Sequence, residues 1–395
     1  MRDAFLRYQA QTSPQPLLLE VARAEGLYLY DRDGRRYADL ISGLAVTNVG
    51  HRHPAVVAAI RAQADAYLHV MPYGEFVQGP QVALARKLAS LLPDPLDATY
   101  FVNSGAEAIE GALKLAKRVT GRRRLVAAHG SYHGSTHGAL SVTGNPSKRA
   151  AFEPLLPGVD FVRYGEAADL RLITEETAGV LLETIQGDAG VRIPPPDYLR
   201  AVRARCDEVG ALLILDEIQT GMGRTGTMFA FEPSGVVPDV VCLAKALGAG
   251  MPMGAFSARR AHLHTLSHAP ILGHITTFGG HPVCCAAALA GIGVLESGLL
   301  ADVGAKGRRF RESLRHPLVR EIRQRGLLLA VDLPSPELTY RVVARLLARG
   351  VLAFYFLSCP ASFRLAPPLT IAEAEIDACC RIIREVFDEI AAEAA

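Results

Sequence analysis

The chain lacks tryptophan, and it lacks any imbalance of charge: 42 Lys and Arg face 40 Asp and Glu, a formal net charge of +2. So weak a field collects neither nucleic acid nor anionic lipid, which leaves a small molecule as the expected partner. Cysteine is sparse and unpatterned. Its 7 copies, Cys206, Cys242, Cys284, Cys285, Cys359, Cys379 and Cys380, form no CxxC and no metal-ligand spacing. That excludes a disulfide scaffold and a zinc module, and the cysteines read as buried thiols in a reducing cytosol. No metal site is expected. Long hydrophobic runs are missing as well: no segment approaches the ~18 uncharged apolar residues of a membrane helix, and the opening MRDAFLRYQAQTSPQP has no apolar signal-sequence core. A soluble, cytoplasmic protein is expected. Gly 36 and Pro 24 in 395 residues are ordinary levels, which excludes collagen-like and disordered classes.

What is present is length and alternation. At about 150 residues per domain, 395 residues predict two or three domains. From about residue 98, short aliphatic runs alternate with polar turns and helical stretches, the mark of an α/β layer on a mostly parallel sheet. The runs are Ala98–Val102, Arg124–Ala128, Gly179–Leu182, Ala211–Leu215 and Val240–Leu243. They are continuous rather than alternating, as strands buried on both faces are. Polar clusters follow each run: NSGAEA (103–108), HGSYHG (129–134), ETIQGDAG (183–190), DEIQTGMGRTG (216–226) and AKALGAG (244–250). Ligands of open α/β sheets bind at the carboxyl ends of strands, so five such clusters predict one site. Leu199, Val202, Cys206 and Val209 space a crossover helix that Gly210 closes. Beyond about residue 290 come charged amphipathic stretches, 301–314, 337–348 and 372–392, which form a second, smaller layer. Asp33-Gly34 marks a hairpin near the N-terminus.

Two patterns invite the wrong chemistry. Gly221-Met222-Gly223-Arg224-Thr225-Gly226 matches a dinucleotide-binding GxGxxG, but four polar residues separate it from the strand and no helical pattern opens inside it. His129, His133 and His137 recur every fourth residue, yet Gly130, Gly134 and Gly138 deny them a helix; His262, His264 and His268 lack any HExxH or nearby cysteine pair. Both groups read as loop or surface histidines.

The chemistry-bearing pair is Asp216 and Lys245, each at the tip of an aliphatic run. A lysine in a partly dry pocket forms a Schiff base with an aldehyde, and a nearby carboxylate keeps a pyridine nitrogen protonated. Together they describe a pyridoxal phosphate site; taken alone they also describe a salt bridge at a sheet edge. Ser104, at the mouth of the helical stretch 106–117, is placed to cradle a phosphate or simply to cap a helix. Tyr132 and His133 sit on a Gly-bracketed turn where a ring can stack on a cofactor or face solvent. Gln219, three residues past Asp216, reaches a cofactor oxygen or only water.

In this order, NSGAEAIEGALKLAKR, SYHGST, LLETIQGDAG, LLILDEIQTGMGRTG, LAKALGAGMPMGA, ITTFGGHP and FRLAPPL resemble the class III pyridoxal-phosphate aminotransferases, from about residue 20 to the end. GLAVTNVGHRHP (43–54) resembles the acetylornithine subgroup and residues 194–226 the putrescine subgroup. The resemblance implies fold type I: an N-terminal segment (1–45) packing with the small domain, a large cofactor-binding domain (46–290) on a mostly parallel seven-stranded sheet, and a C-terminal α+β small domain (291–395). It implies Lys245 as the Schiff-base lysine that then moves the proton and Asp216 on the pyridine nitrogen. It further implies Ser104, Gly105 and Ala106 on the phosphate, Tyr132 and His133 beside the ring, Gln219 at the phenolic oxygen, and Glu183 supporting the site. A homodimer with shared active sites is implied too, with Thr277 reaching the partner's phosphate and Tyr73 lining its pocket.

For substrates, Arg364 of FRLAPPL resembles the family arginine that forks onto the α-carboxylate of glutamate or 2-oxoglutarate. The acid paired with it is Asp188, one methylene shorter than the usual glutamate. Ser135 follows Gly134 where an arginine commonly grips a distal carboxylate, and Leu44 stands where ornithine enzymes carry a tyrosine. The expected reaction moves a terminal amino group from an amine, diamine or ω-amino acid to a 2-oxo acid such as 2-oxoglutarate or pyruvate. Acetylornithine aminotransferase is the alternative, as is an isomerase, racemase or decarboxylase of the same fold.

Overall fold

The protein is described here by a computed structural model of residues 1–394. Its centre is a seven-stranded sheet in the order Ala98–Val102, Gly254–Ala258, Val240–Ala244, Leu212–Asp216, Thr177–Glu183, Arg124–Ala128, Val159–Val162. Neighbours run parallel except Gly254–Ala258, which is antiparallel to both strands beside it. The five expected strands are all present. Alternate residues of one strand enter different cores: Leu213 and Leu215 pack on one side with Val241 and Leu243, while Ile214 packs on the other with Leu181 and Cys242. Burial on both faces is why these runs are continuously aliphatic.

Helix Gly105–Thr120 covers one face, burying Ala108, Ile109, Ala112, Leu113, Leu115 and Ala116 before Gly121 ends it at φ 69°. The crossover helix is Tyr198–Val209, closed by Gly210 at φ 68°. The other face packs against Pro282–Glu296 and the layer built from the chain ends. There the hairpin strands Tyr28–Asp31 and Arg36–Asp39 join Val21–Glu25, and Val351–Leu352 pairs parallel to Arg36–Asp39, so both ends of the chain share one sheet. A second four-stranded antiparallel sheet comprises Glu321–Arg325, Leu328–Asp332, Ser362–Leu365 and Phe354–Tyr355. Helices Val303–Ser313, Pro336–Ala348 and Glu373–Ala394 lie where the amphipathic stretches placed them. Six of the seven cysteines are buried and Cys359 is half-buried. Among the described residues no single helix is long and apolar enough to cross a membrane.

The GMGRTG segment is a loop around a strut. The fully buried Arg224 guanidinium donates to the carbonyls of Leu327 at 2.9 Å and Pro367 at 2.6 Å and to the Asn48 side chain, joining the large sheet's loops to both chain ends. Burial pushes Arg224 down to about 9.

Candidate active site

All five polar clusters converge on one cavity of about 570 Å³. Parallel register accounts for this: Glu183 pairs with Asp216, so those two strands end level, and Asp216 pairs with Cys242 on the next strand, whose tip carries Lys245 three residues further on. Lys245 takes φ 48°, a left-handed backbone that costs a side-chain-bearing residue energy and marks functional sites. Burial pushes its ammonium below the ordinary lysine value, against the pull of Asp216.

Asp216 is fixed through both oxygens. Oδ2 lies 2.7 Å from His133 Nδ1, and Oδ1 accepts from Ile218 N–H at 2.9 Å. His133 is thus not a surface histidine: it is buried on the acid and lines the cavity, whereas His129 is exposed in a turn and His137 is the exposed first residue of the helix His137–Ser141. Glu183 Oε1 accepts from Tyr132 N–H at 3.0 Å and Oε2 from Gly187 N–H at 2.7 Å, which ties the Tyr132 turn to the Glu183 strand. Burial pushes Glu183 up to about 7, although His133 and those two N–H groups favour its charge.

Ser104 caps the helix, its hydroxyl accepting from Glu107 N–H at 3.2 Å, and also lines the cavity with Gly105 and Ala106. The helix N-terminus thus faces the cavity. Two glycines allow close approach of chain to chain. A Cβ at Gly134, at φ 135°, would lie 2.7 Å from Ala106 Cβ, and one at Gly187 would lie 1.8 Å from Gln219 Oε1. Tyr132 and Gln219 line the cavity as expected.

Arg364 stands behind the cavity wall, buried, its NH2 donating to Asp188 Oδ1 at 3.2 Å. Thr277 is exposed and Tyr73 half-buried, and neither lines the cavity of its own chain. Ser135 lines it, while Leu44 is exposed elsewhere. Residues that sequence reasoning missed include Lys148, 2.8 Å from Asp188, and Ser358, 2.7 Å from the same carboxylate. Glu217 was also missed. It is buried beside Asp216 and bonded by Thr184, by Thr220 at 3.1 Å and by Ala230 N–H at 2.9 Å. Glu217's place next to Asp216 was its one available signal; Lys148 and Ser358 are brought in from segments 40 and 170 residues away.

This donor set fits pyridoxal phosphate. A buried amine and an oriented carboxylate share one cavity with a helix N-terminus, and two buried nitrogens, Gln219 Nε2 and His133 Nε2, have no protein partner. Unpaired buried polar atoms are rare in native proteins and point to a bound group.

Residues 8–387 match the family described as Aminotransferase class-III. An acetylornithine aminotransferase of Mycobacterium tuberculosis is 44% identical over 376 residues, 94% of this chain and 92% of its own. A putrescine aminotransferase of Pectobacterium atrosepticum is 43% identical over 379 residues, 91% of this chain and 80% of its own. The crystal structure of an ornithine aminotransferase from Toxoplasma gondii superimposes with a TM-score of 0.92 at 30% identity, covering 99% of this chain and 95% of that one. The chain therefore belongs to the class III aminotransferases, enzymes that use pyridoxal phosphate to pass an amino group from a donor to a 2-oxo acid.

Proposed function

We propose that this aminotransferase takes a terminal amino group from an amine, diamine or ω-amino acid and delivers it to a 2-oxo acid such as 2-oxoglutarate or pyruvate, by a ping-pong mechanism. The observation that carries the donor side is the lining of the cavity. Among the described residues Lys245 is its one lysine and no arginine lines it, while Val46, Ile185, Ile218, Met251 and Met253 supply apolar wall. A wall of that kind rewards an apolar or polymethylene chain and offers little to a distal carboxylate.

When bound, pyridoxal phosphate supplies an aldehyde to take up the amino group and a conjugated ring to spread developing negative charge. The chain's own residues do the rest. Ser104, Gly105 and Ala106 would hold the phosphate at the helix N-terminus, Tyr132 would lie against the ring, and the unpartnered Gln219 Nε2 would donate to the phenolic oxygen. Asp216, aligned by His133 and Ile218 N–H, would hold a proton on the ring nitrogen. Lys245 Nζ, with its proton affinity lowered by burial, moves a proton to and from the reacting carbon. Glu183 holds the Tyr132 turn against the site. Arg364 takes the α-carboxylate of the 2-oxo acid.

Two copies sharing their sites complete this reading, with Thr277 of one copy reaching the phosphate of the other and Tyr73 lining the other's pocket. The support is the uncovered apolar surface flanking both residues: Ile271, Leu272, Ile275 and Phe278 on one segment and Phe76 and Val77 on the other.

A second reading, acetylornithine aminotransferase, is favoured by the 44% identity to enzymes of that name. Single-turnover titration of the purified holoenzyme without acceptor separates the two. Bleaching of the visible cofactor band by putrescine or an aryl-alkyl amine, and weakly by N-acetylornithine, supports the first reading; efficient bleaching by N-acetylornithine together with none by putrescine overturns it.

A further inference from the structure

Asp188 is a carboxylate with more partners than it has charge for. It is buried, and it accepts from Lys148 Nζ at 2.8 Å and Ser358 Oγ at 2.7 Å on Oδ2, and from Arg364 NH2 at 3.2 Å on Oδ1. Leu357 N–H lies 3.4 Å from Oδ1. Two cations thus share one anion, and the contacts are unequal. The lysine and hydroxyl contacts are of full charge-assisted length, whereas Arg364 makes one long contact and leaves its buried Nε without a partner. Burial disfavours Asp188's charge, but Lys148, Ser358 and, least of the three, Arg364 together more than offset it and hold the carboxyl below the usual range.

Lys148 is not there by accident of a long side chain. It sits on the short turn Pro146–Arg149, whose cap Asn145 accepts from Ser147 N–H through its side-chain oxygen at 3.0 Å. The amide of the same Asn145 donates to Ser358 Oγ at 3.0 Å, and Ser358 donates to Asp188. Asn145, Ser358, Asp188 and Lys148 therefore close a ring that returns to the turn it began on. The Lys148 ammonium also stands 4.5 Å from the centre of the Tyr132 ring at the cavity wall, a cation–π contact that further fixes it.

We propose that Lys148 is a positioning residue that draws Asp188 toward itself, so that the carboxylate keeps only one long contact with Arg364 and the guanidinium stays available to a substrate carboxylate. The proposal rests on the reading that Arg364 receives the α-carboxylate of the 2-oxo acid. A carboxylate arriving at Arg364 displaces one long hydrogen bond rather than a bidentate pair, and Asp188 remains neutralised by Lys148 when it lets go. When the substrate is an amine with no carboxylate, Asp188 retains both cations and Arg364 is not left bare. The short acid thus serves both halves of the reaction with little movement, because a second cation lies within its reach.

The test uses the holoenzyme with a carboxylate-free amine as donor and 2-oxoglutarate as acceptor. Removing the cation in Lys148→Met leaves Asp188 to pair with Arg364 alone, so the KM for 2-oxoglutarate rises about tenfold. The KM for the amine does not rise, and kcat changes little. Lys148→Arg restores the acceptor KM. A merely structural role for Lys148 raises both KM values together or lowers kcat, and either result, like an unchanged acceptor KM in Lys148→Met, overturns the proposal. Arg364→Lys separates this from failure of the underlying reading. A raised acceptor KM in Arg364→Lys with none in Lys148→Met refutes only the role of Lys148, whereas no rise in Arg364→Lys refutes both.

Discussion

His133 Nδ1 and Asp216 Oδ2 lie 2.7 Å apart, both buried, at the centre of the strand ends that form the cavity. With Ile218 N–H on the other oxygen, the carboxylate has one orientation open to it. A buried acid so restrained is prepared to face a positive partner without reorganising, which is where fixed charge contributes most to catalysis.

Asp216→Asn keeps the shape and removes the charge. Its kcat is expected to fall by about 10²–10³, the scale of losing one preorganised electrostatic contact. His133→Asn falls less, about tenfold, because the Ile218 N–H still holds one oxygen. Steady-state kinetics on both variants check the order, and an Asp216→Asn enzyme within threefold of wild type contradicts it.

Glu217 predicts a pH dependence of stability. Burial pushes it from the ordinary 4.5 up to about 7, only partly countered by the donors from Thr184, Ala230 and Thr220. Because the folded value is raised, its contribution is complete below about 4.5 and is lost as pH rises through about 7. Glu217→Gln keeps an acceptor for Thr184 and removes the ionisation. Melting temperatures across that range should show wild type losing ground to the variant as pH rises; a constant difference counts against the assignment.

Arg224→Met tests the strut. The variant leaves the Asn48 side chain and the carbonyls of Leu327 and Pro367 without their donor in a buried place. A cost of about 3 kcal/mol is expected by urea unfolding. A change below about 0.5 kcal/mol, the size of an ordinary surface substitution, removes the strut from the account.

The central strands were legible because burial on both faces makes them aliphatic throughout, as in Leu212–Asp216 and Val240–Ala244. Gly254–Ala258 was not, since four of its five residues are Gly, Ala or Ser, which have little strand propensity, and a Cβ at Gly254 would meet the Ser104 carbonyl oxygen at 2.1 Å. Val159–Val162 is a half-covered edge strand of four residues, too short to stand out. In the site, residues directly after strands could be read from their position in the chain. His133 was harder because its fourfold spacing with His129 and His137 invited a shared role, whereas of the three only His133 is buried. Lys148 and Arg224 act across 40 and more than 100 residues of sequence, where only the folded chain brings partners together.

The most direct test of the whole account is Lys245→Ala. The variant should fold with a melting temperature near that of wild type, lose the visible band of the lysine-bound cofactor, and turn over no amino donor with any 2-oxo acid. A Lys245→Ala protein that still transaminates at the wild-type rate contradicts the account at its base.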